Sequence, residues 1–282
     1  MAAYPEPVST EAGTGDVPSD LSLDVPGLLR AMVLTDPTRP RLTWYGPAGE
    51  RIELSGKVLD NWVAKSANLL VEEVDAGPDR RIAIDLPTGW RAAVWLLATW
   101  STGACAVLPD DGEDAGDLDA WVSDRPGSPS AAAAADAGAL LIAVALPALA
   151  VSFGPGLPPE ALDAAVEGRG RGDVFLPLVT PLPTDGALQR PGRPTLSHGE
   201  LAPAAAAAGA DLGLPAGVRL LTDARPAQVE ALLAAWWTGG SVVLHHDLGL
   251  IDAPGRGRLV EEERVTAALP RAELEGEALR RG

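Results

Sequence analysis

Two adjacent side chains, Ser197 and His198, are the pair in this sequence that could serve as a nucleophile and its general base. Nucleophilic catalysis needs the hydroxyl and the imidazole within hydrogen-bonding distance, and a third group that orients the base. Neighbouring side chains point to opposite faces of a strand and diverge on a helix, and no aspartate partner can be assigned. Ser197 followed three residues later by Glu200 is the pattern of a capping box, which favours a helix N-terminus over a hydrolase triad.

Three further features carry residue types that could bind a metal or react: His245-His246-Asp247 after an apolar strand, the acidic run of residues 110–119, and Cys105. A zinc site needs three or four converging ligands, and the sequence holds no second cluster of His or Cys. The acidic run lacks the alternating spacing of a calcium loop. We therefore predict an exposed loop, a solvated linker and a buried inert thiol, and we assign neither a metal ligand nor a catalytic residue.

Residues 184–198 read Thr-Asp-Gly-Ala-Leu-Gln-Arg-Pro-Gly-Arg-Pro-Thr-Leu-Ser-His. This segment resembles the phosphate-binding loop of the adenylate-forming superfamily, which includes acyl-CoA synthetases, adenylation domains and luciferases. The loop of that family reads Thr-Ser-Gly-Thr-Thr-Gly-x-Pro-Lys-Gly and usually continues to Ser-His. The positions that match without a gap are Thr184, Gly186, Pro191, Leu196, Ser197 and His198.

The resemblance implies a degenerate nucleotide site, with ATP or AMP as its ligand, at Thr184, Gly186, Arg190, Arg193, Ser197 and His198. The central hydroxyl residues of the family loop are replaced by Ala187 and Leu188, and its lysine is replaced by Gly192. A working phosphate loop needs open backbone N–H groups, hydroxyls and a cation. Arg190 and Arg193 could supply the cation, but we favour the alternative of a solvated loop with two surface arginines.

The resemblance extends from about residue 43 to about residue 244 and covers half of a complete enzyme of this superfamily. The aromatic-x-x-Thr-Glu motif, the ribose-binding aspartate and the C-terminal domain with its catalytic lysine have no counterpart in the sequence. We therefore expect a non-catalytic scaffold or binding protein. Two alternatives stay open: a ligase-like protein completed by a separate chain, and a weak binder of a nucleotide or acyl ligand with a regulatory role.

The composition restricts partners and location. A formal net charge of −17 repels phosphate backbones and anionic membranes, so we expect neither nucleic acid nor membrane as a partner. A single cysteine excludes an intrachain disulfide and fits a reducing cytoplasm. The N-terminus lacks a secretory pattern, and each apolar run is shorter than the roughly 20 residues that cross a bilayer. We predict a cytoplasmic bacterial protein.

The hydrophobic pattern predicts alternating strands and helices. Ser55 is a plausible N-cap for a helix over residues 56–74, and an apolar helix over 89–102 lies between strands at 82–86 and 105–108. Because this rhythm is typical of βαβ units, it predicts parallel sheets. The other predicted elements are a helix over 28–34, a hairpin of 42–45 and 51–54, a strand at 140–144, and helices over 158–167 and 202–210.

An internal repeat supports an origin in two related halves. Residues 100–108 and 236–244 align without a gap, and each begins with Trp, turns at Gly and continues into a strand. Glycine at a helix C-terminus lets the chain turn back onto a sheet. The repeat therefore predicts that both units occupy related places in parallel sheets, with Val107 and Val243 buried.

We assign the fold class α/β: a three-layer αβα domain with mostly parallel sheets, similar to an incomplete adenylate-forming N-terminal domain. The predicted domain boundaries are a disordered tail over 1–22, an α/β domain over 23–269 with halves of about 23–150 and 151–269, and a polar tail over 270–282. Because elements that cover this half in the family are missing, we expect a homodimer or a protein partner near residues 231–244. The alternative is a monomer in which residues 248–269 fold back as a cap.

Overall fold

The computed structural model describes residues 24–47, 49–109 and 117–270. The predicted tail over 1–22, most of the acidic run, and residues 271–282 of the predicted polar tail lie outside this part of the chain. Within it, the strands form two sheets that are covered by helices.

The strands are β1 (Pro40–Tyr45), β2 (Arg51–Ser55), β3 (Arg81–Asp85), β4 (Cys105–Val107), β5 (Ala120–Ser123), β6 (Leu140–Ala143), β7 (Leu162–Asp163), β8 (Gly186–Gln189), β9 (Leu196–Ser197), β10 (Arg219–Thr222), β11 (Ser241–His245) and β12 (Ala267–Leu269). The α-helices are α1 (Val25–Thr35), α2 (Gly56–Val74), α3 (Trp90–Thr102), α4 (Pro129–Asp136), α5 (Ala164–Glu167), α6 (His198–Asp211), α7 (Val229–Trp237) and α8 (Ala253–Glu262).

Both sheets are mostly parallel, as predicted. One has the strand order β12-β10-β11-β1-β2 and the other has the order β7-β6-β5-β3-β4-β8-β9. The strand pairs β1–β2 and β8–β9 are antiparallel, and the remaining pairs are parallel. The sheets do not divide at residue 150, because β1 from the first half of the chain pairs with β11 from the second, and β4 pairs with β8. The division into two halves stays a prediction.

Each sheet has apolar side chains on both faces, as expected for parallel strands. Ile82 and Ile84 of β3 join the main core, which also holds α2, α3, α6 and α7. Ala83 of the same strand packs on the opposite face, against α4. In the other sheet, Leu220 joins the main core and Leu221 packs under α8. Each sheet therefore lies between helices, and the two sheets share the helices of the main core.

The predicted repeat is confirmed and extends to its hydrogen bonds. Val107 and Val243 are buried in parallel strands, and Gly103 and Gly239 after their helices have φ values of 87° and 76°. The indole N–H of Trp100 donates to Ala187 O at 2.7 Å, on β8 beside β4. The equivalent indole, that of Trp236, donates to Arg41 O at 2.9 Å, on β1 beside β11. Each tryptophan thus joins its helix by a hydrogen bond to the strand that lies beside the strand following that helix.

Helices α2 and α3 form as predicted, whereas the helix predicted over 158–167 is wrong. The chain there forms the two-residue strand β7 and the one-turn helix α5. The Asp163 carboxylate accepts hydrogen bonds from the backbone N–H groups of Phe153, Ala165 and Val166. A carboxylate that accepts from the first N–H groups of a helix is an N-cap, so the helix begins there rather than at Pro158.

Residues 248–269 fold back on the domain. Strand β12 pairs in parallel with β10, and Leu259 of α8 is buried against Leu221 and Val243. This segment therefore covers the β10 edge of its sheet, as the cap alternative predicted. In the described ranges, no helix is both long enough and apolar enough to cross a membrane.

Candidate functional site

The residues expected in the middle of the phosphate loop form a strand. Ala187 and Leu188 lie in β8, are fully buried, and Leu188 pairs with Ala106 of β4. The physical reason is their apolar character, which suits a strand covered on both faces better than a loop. The turn between β8 and β9 follows at residues 190–195, and Gly192 there has a φ of 64°.

The two arginines of the predicted site have different environments. Arg190 is only 7% exposed, and its Nη1 donates to Glu230 Oε1 at 2.5 Å and to Ala227 O at 3.1 Å. This arginine is therefore not the surface side chain that we expected, and its charge is already paired. Arg193 is exposed in the turn, and Thr184 is exposed before β8.

Ser197 and His198 hold the start of α6. The Glu200 carboxylate accepts hydrogen bonds from Ser197 N and Ser197 Oγ, both at 2.8 Å, which confirms the predicted helix N-terminus. His198 is buried, and its Nε2–H donates to Gly103 O at 2.9 Å. Burial lowers the pKa of this imidazole. In the described structure, neither these residues nor Thr184, Gly186, Arg190 or Arg193 line the cavities described below.

A cavity, which we call the cleft, lies where strands of the two sheets end. It has a volume of about 540 Å³, within the range of small-molecule sites of about 300–1,000 Å³. Its walls come from the ends of β1 and β3, the start of α3, and the residues after β6, β10 and β11. Ligand sites in parallel sheets commonly lie at the carboxyl ends of strands. The lining residues are Trp44, Pro47, Glu50, Leu86, Pro87, Thr88, Gly89, Trp90, Arg91, Ala92, Leu146, Pro147, Arg225, Pro226 and His246.

The cleft combines apolar walls with basic side chains. Trp44, Trp90 and Leu86 form buried apolar surface. Arg91 and Arg225 contribute guanidinium groups and His246 an imidazole. The lining holds one carboxylate, that of Glu50, which accepts from Ala148 N at 2.9 Å. The guanidinium of Arg91 lies 4.2 Å from the ring centroid of Trp90. It donates to Leu146 O and Pro147 O, and burial lowers its pKa to about 10. An arginine with this pKa remains a cation at neutral pH.

The start of α3 adds two kinds of hydrogen-bond donor to the cleft: the first backbone N–H groups of the helix and the indole N–H of Trp90. Gly89 precedes the helix, and no side chain caps its N-terminus within the described residues. The indole N–H of Trp90 is buried and has no hydrogen-bond partner among the residues that the structure describes. Uncapped N–H groups at a helix start favour negative charge. The cleft is therefore suited to a ligand with an apolar body and an anionic group.

His245 and His246 belong to different surroundings. His245 is buried, its ring lies 6.2 Å from that of Tyr45 and 4.5 Å from that of His246, and burial and His246 lower its pKa. His246 lines the cleft. The exposed loop predicted for His245-His246-Asp247 is wrong at His245, which is the buried last residue of β11 because the apolar strand continues up to it. The same rule about strand ends could have pointed to the cleft if the pairing of β1 with β11 had been known.

A charged cluster fixes the C-terminal segment beside these histidines. The Glu263 carboxylate accepts from Tyr45 Oη at 2.5 Å and Arg51 Nε at 2.9 Å, and it pairs with Arg219. Burial opposes ionisation of Glu263, but hydrogen bonds from Arg51, Tyr45 and Arg219 outweigh it and hold the pKa at about 2. Cys105, by contrast, is buried as predicted, and burial raises the pKa of its thiol to about 11.

Comparison with known proteins identifies relatives of this chain. No protein-family model matches it. The chain is 36% identical over 253 residues to a TIGR03089 family protein from Mycobacterium tuberculosis, and the match covers 86% of this chain and 96% of that protein.

Solved structures of acyl-CoA synthetases share the fold. A Brucella canis acyl-CoA synthetase has a TM-score of 0.64 at 16% identity, covering 84% of this chain and 45% of its own. Apo MatB from Rhodopseudomonas palustris has a TM-score of 0.60 at 21% identity, covering 87% and 49%. The chain thus spans about half the length of these proteins. The predicted α/β fold with mostly parallel sheets, similar to part of an acyl-CoA synthetase, is confirmed.

Proposed function

This chain belongs to the TIGR03089 family, and we propose that it is a binding protein without ligase activity that keeps part of an acyl-CoA synthetase scaffold. The main support for this proposal is the conformation and burial of residues 186–190. A buried strand occupies the place expected for the phosphate loop, and Arg190 is paired with Glu230. Residues 186–190 therefore offer neither open N–H groups nor an unpaired cation for the phosphates of ATP, and the exposed cation of the predicted site is Arg193 in the following turn.

The ligand that fits the cleft best is a small organic acid with an apolar body. Trp44, Trp90 and Leu86 would cover the body, while Arg91 and the start of α3 would attract the carboxylate. The alternative of a nucleotide or acyl-nucleotide ligand, which the resemblance implies, would place a phosphate near the same basic groups.

A thermal-shift screen tests this proposal. We expect octanoate or benzoate to raise the melting temperature, by about 5 °C at about one hundred times the Kd. Thr88→Trp, which fills the cleft, should abolish the shift. Thr180→Trp places the same ring on an exposed loop outside the cleft and should leave the shift unchanged. ATP or AMP as the stabilising ligand would instead support the nucleotide alternative.

The absence of ligase activity needs its own assay. We expect no ATP–pyrophosphate exchange above background with either acid, because loss of a single donor in such a site can already reduce the rate about a hundredfold. Exchange that Thr88→Trp abolishes and Thr180→Trp retains would contradict a non-catalytic role. Such exchange would favour a ligase, either one that is active as this chain alone or one that a second chain completes.

We also propose association with a second copy or with another protein. Residues 231–244 are covered within the domain, since α7 packs on α6 and β11 lies between β10 and β1. Exposed apolar side chains lie elsewhere, at Leu149, Leu176 and Leu178, of which 93%, 75% and 86% are exposed. Such side chains favour a contact with another surface. Light scattering should give a mass above that of the monomer, and Leu178→Glu should lower it.

A further inference from the structure

We infer a second binding site, for a small neutral molecule that carries several hydroxyl groups, such as a monosaccharide. The site is a cavity of about 200 Å³ at the carboxyl ends of β3 and β5, two interior strands of the seven-stranded sheet. It is lined by Asp85, Pro109, Trp121, Arg125, Ser128, Pro129 and Ser130. It shares no lining residue with the cleft.

The position of the cavity follows from the order of the strands. From β3 the chain passes through α3 to β4 on one side of β3, and it then returns to β5 on the other side and continues to β6. The order of connection therefore reverses between β3 and β5. In open parallel sheets, ligands bind at the carboxyl ends of the strands where this reversal occurs. Asp85 and Ser123 are the last residues of β3 and β5.

Helix α4 closes the cavity on one side. Its Ala131 and Ala134 pack with Trp121 in a small apolar cluster that is separate from the main core. Ser128 caps this helix by accepting from Ala131 N at 3.2 Å, so the first turn, which holds Ser130, is fixed beside the ends of β3 and β5. The cavity is therefore formed by ordered elements, namely two strand ends and a capped helix.

The wall contains a buried donor that lacks a partner. Trp121 is 4% exposed, and its indole N–H has no hydrogen-bond acceptor among the described residues. A buried donor without an acceptor is unfavourable, and such groups in native proteins call for an explanation. An oxygen atom of a bound ligand would supply the missing acceptor.

The charges in the wall are balanced, which decides the class of ligand. Asp85 accepts from Arg125 Nη2 and from Ser123 Oγ, both at 2.9 Å, so its charge is matched by the guanidinium. No excess positive charge remains among the lining residues to hold a phosphate or a carboxylate. The wall instead offers acceptors on Asp85, donors on Trp121 and hydroxyls on the serines. Hydroxyl groups both donate and accept, so they complement this mixture.

The size of the cavity agrees with this chemistry. Its volume of about 200 Å³ is below the range of about 300–1,000 Å³ for drug-sized ligands. A single sugar ring or a short polyol has the corresponding size and places hydroxyls in several directions. A monosaccharide, free or as part of a larger metabolite, is therefore the ligand class that we assign.

The indole signals of ¹⁵N-labelled protein provide a direct test. Trp121→Phe identifies the Trp121 N–H signal, and D-ribose, D-glucose and myo-inositol are then added at millimolar concentrations. We expect at least one of them to shift this signal in a saturable way. Inorganic phosphate and acetate serve as anionic probes. A saturable shift by an anion alone would overturn the assignment to a neutral ligand, and no saturable shift by any of the three polyols would overturn the site.

Two variants on α4 separate binding in the cavity from general effects. Ser130→Phe fills the cavity and should reduce the affinity for the polyol at least tenfold. Ala133→Phe places the same ring on the exposed side of the same helix and should leave the affinity unchanged. Retention of the shift in folded Ser130→Phe would show that the polyol binds elsewhere and would refute the proposal.

Discussion

Glu263 is expected to stabilise the native state through its charge. Its side chain is 5% exposed and lies between Arg51 and Arg219, and its pKa falls from 4.5 to about 2 on folding. Since one pKa unit corresponds to about 1.4 kcal/mol, the ionised carboxylate contributes about 3 kcal/mol to the free energy of unfolding at neutral pH. Glu263→Gln keeps the shape and removes the charge, so it should lose most of this amount.

The pH dependence distinguishes this charge effect from a loss of packing. A carboxyl group whose pKa is lowered on folding stabilises above its unfolded pKa and loses this effect as the pH falls through its folded pKa. The difference between wild type and Glu263→Gln should therefore be full above about pH 5 and halved near about pH 3. Urea denaturation at pH 7, 5, 4 and 3 measures it.

The neighbouring Glu262 provides a matched control. It is the last residue of α8, directly before Glu263, and its side chain is exposed, so Glu262→Gln should change the free energy of unfolding by less than about 0.5 kcal/mol. Equal losses for the two variants at pH 7 would refute the reasoning. A loss for Glu263→Gln that does not change between pH 7 and pH 3 would also refute it, because only the ionised form makes the inferred interaction.

Three further predictions concern the core and the C-terminal segment. Trp236→Phe removes the indole donor to Arg41 O, so it should lower the free energy of unfolding by at least about 1 kcal/mol in urea denaturation, with Trp237→Phe, on a half-buried neighbour, losing less. Burial lowers the pKa of His198, so protonation favours the unfolded state and stability should fall as the pH drops below 6.5; His198→Gln should flatten this dependence between pH 7 and 5, and an unchanged slope would contradict it. A chain of residues 1–247 lacks β12 and leaves the β10 edge open, so light scattering should show self-association beyond that of the full chain.

Local signals in the sequence predicted helices α2 and α3 and the repeat. The helix over 56–74 has a serine N-cap and a one-sided apolar pattern, and the structure places it at the same residues. The repeat of 100–108 and 236–244 predicted two buried parallel strands because glycine after a helix has few other structural roles. These features depend on neighbours in the chain, which is why the sequence reveals them.

The candidate site depends on contacts that the sequence does not show. The cleft brings together Trp44, Trp90 and His246, and their proximity follows from the pairing of β1 with β11. The strand β8 was missed because the alignment with the family loop assigned Ala187 and Leu188 to a loop. Their burial against β4 is a tertiary effect, and it outweighs the resemblance of the surrounding residues.

The hydrogen bond from Trp236 to Arg41 has a consequence for the synthesis of the protein. Its two residues are 195 positions apart, and at about 5–20 residues per second the ribosome needs roughly 10–40 s to make the intervening chain. Strand β1 is therefore complete long before its parallel partner β11 exists. During that time one edge of β1, with its apolar Leu42 and Trp44, lacks its final neighbour. Substitutions in the hairpin of β1 and β2 should therefore reduce the yield of folded protein in the cell more than they reduce the stability of the finished molecule.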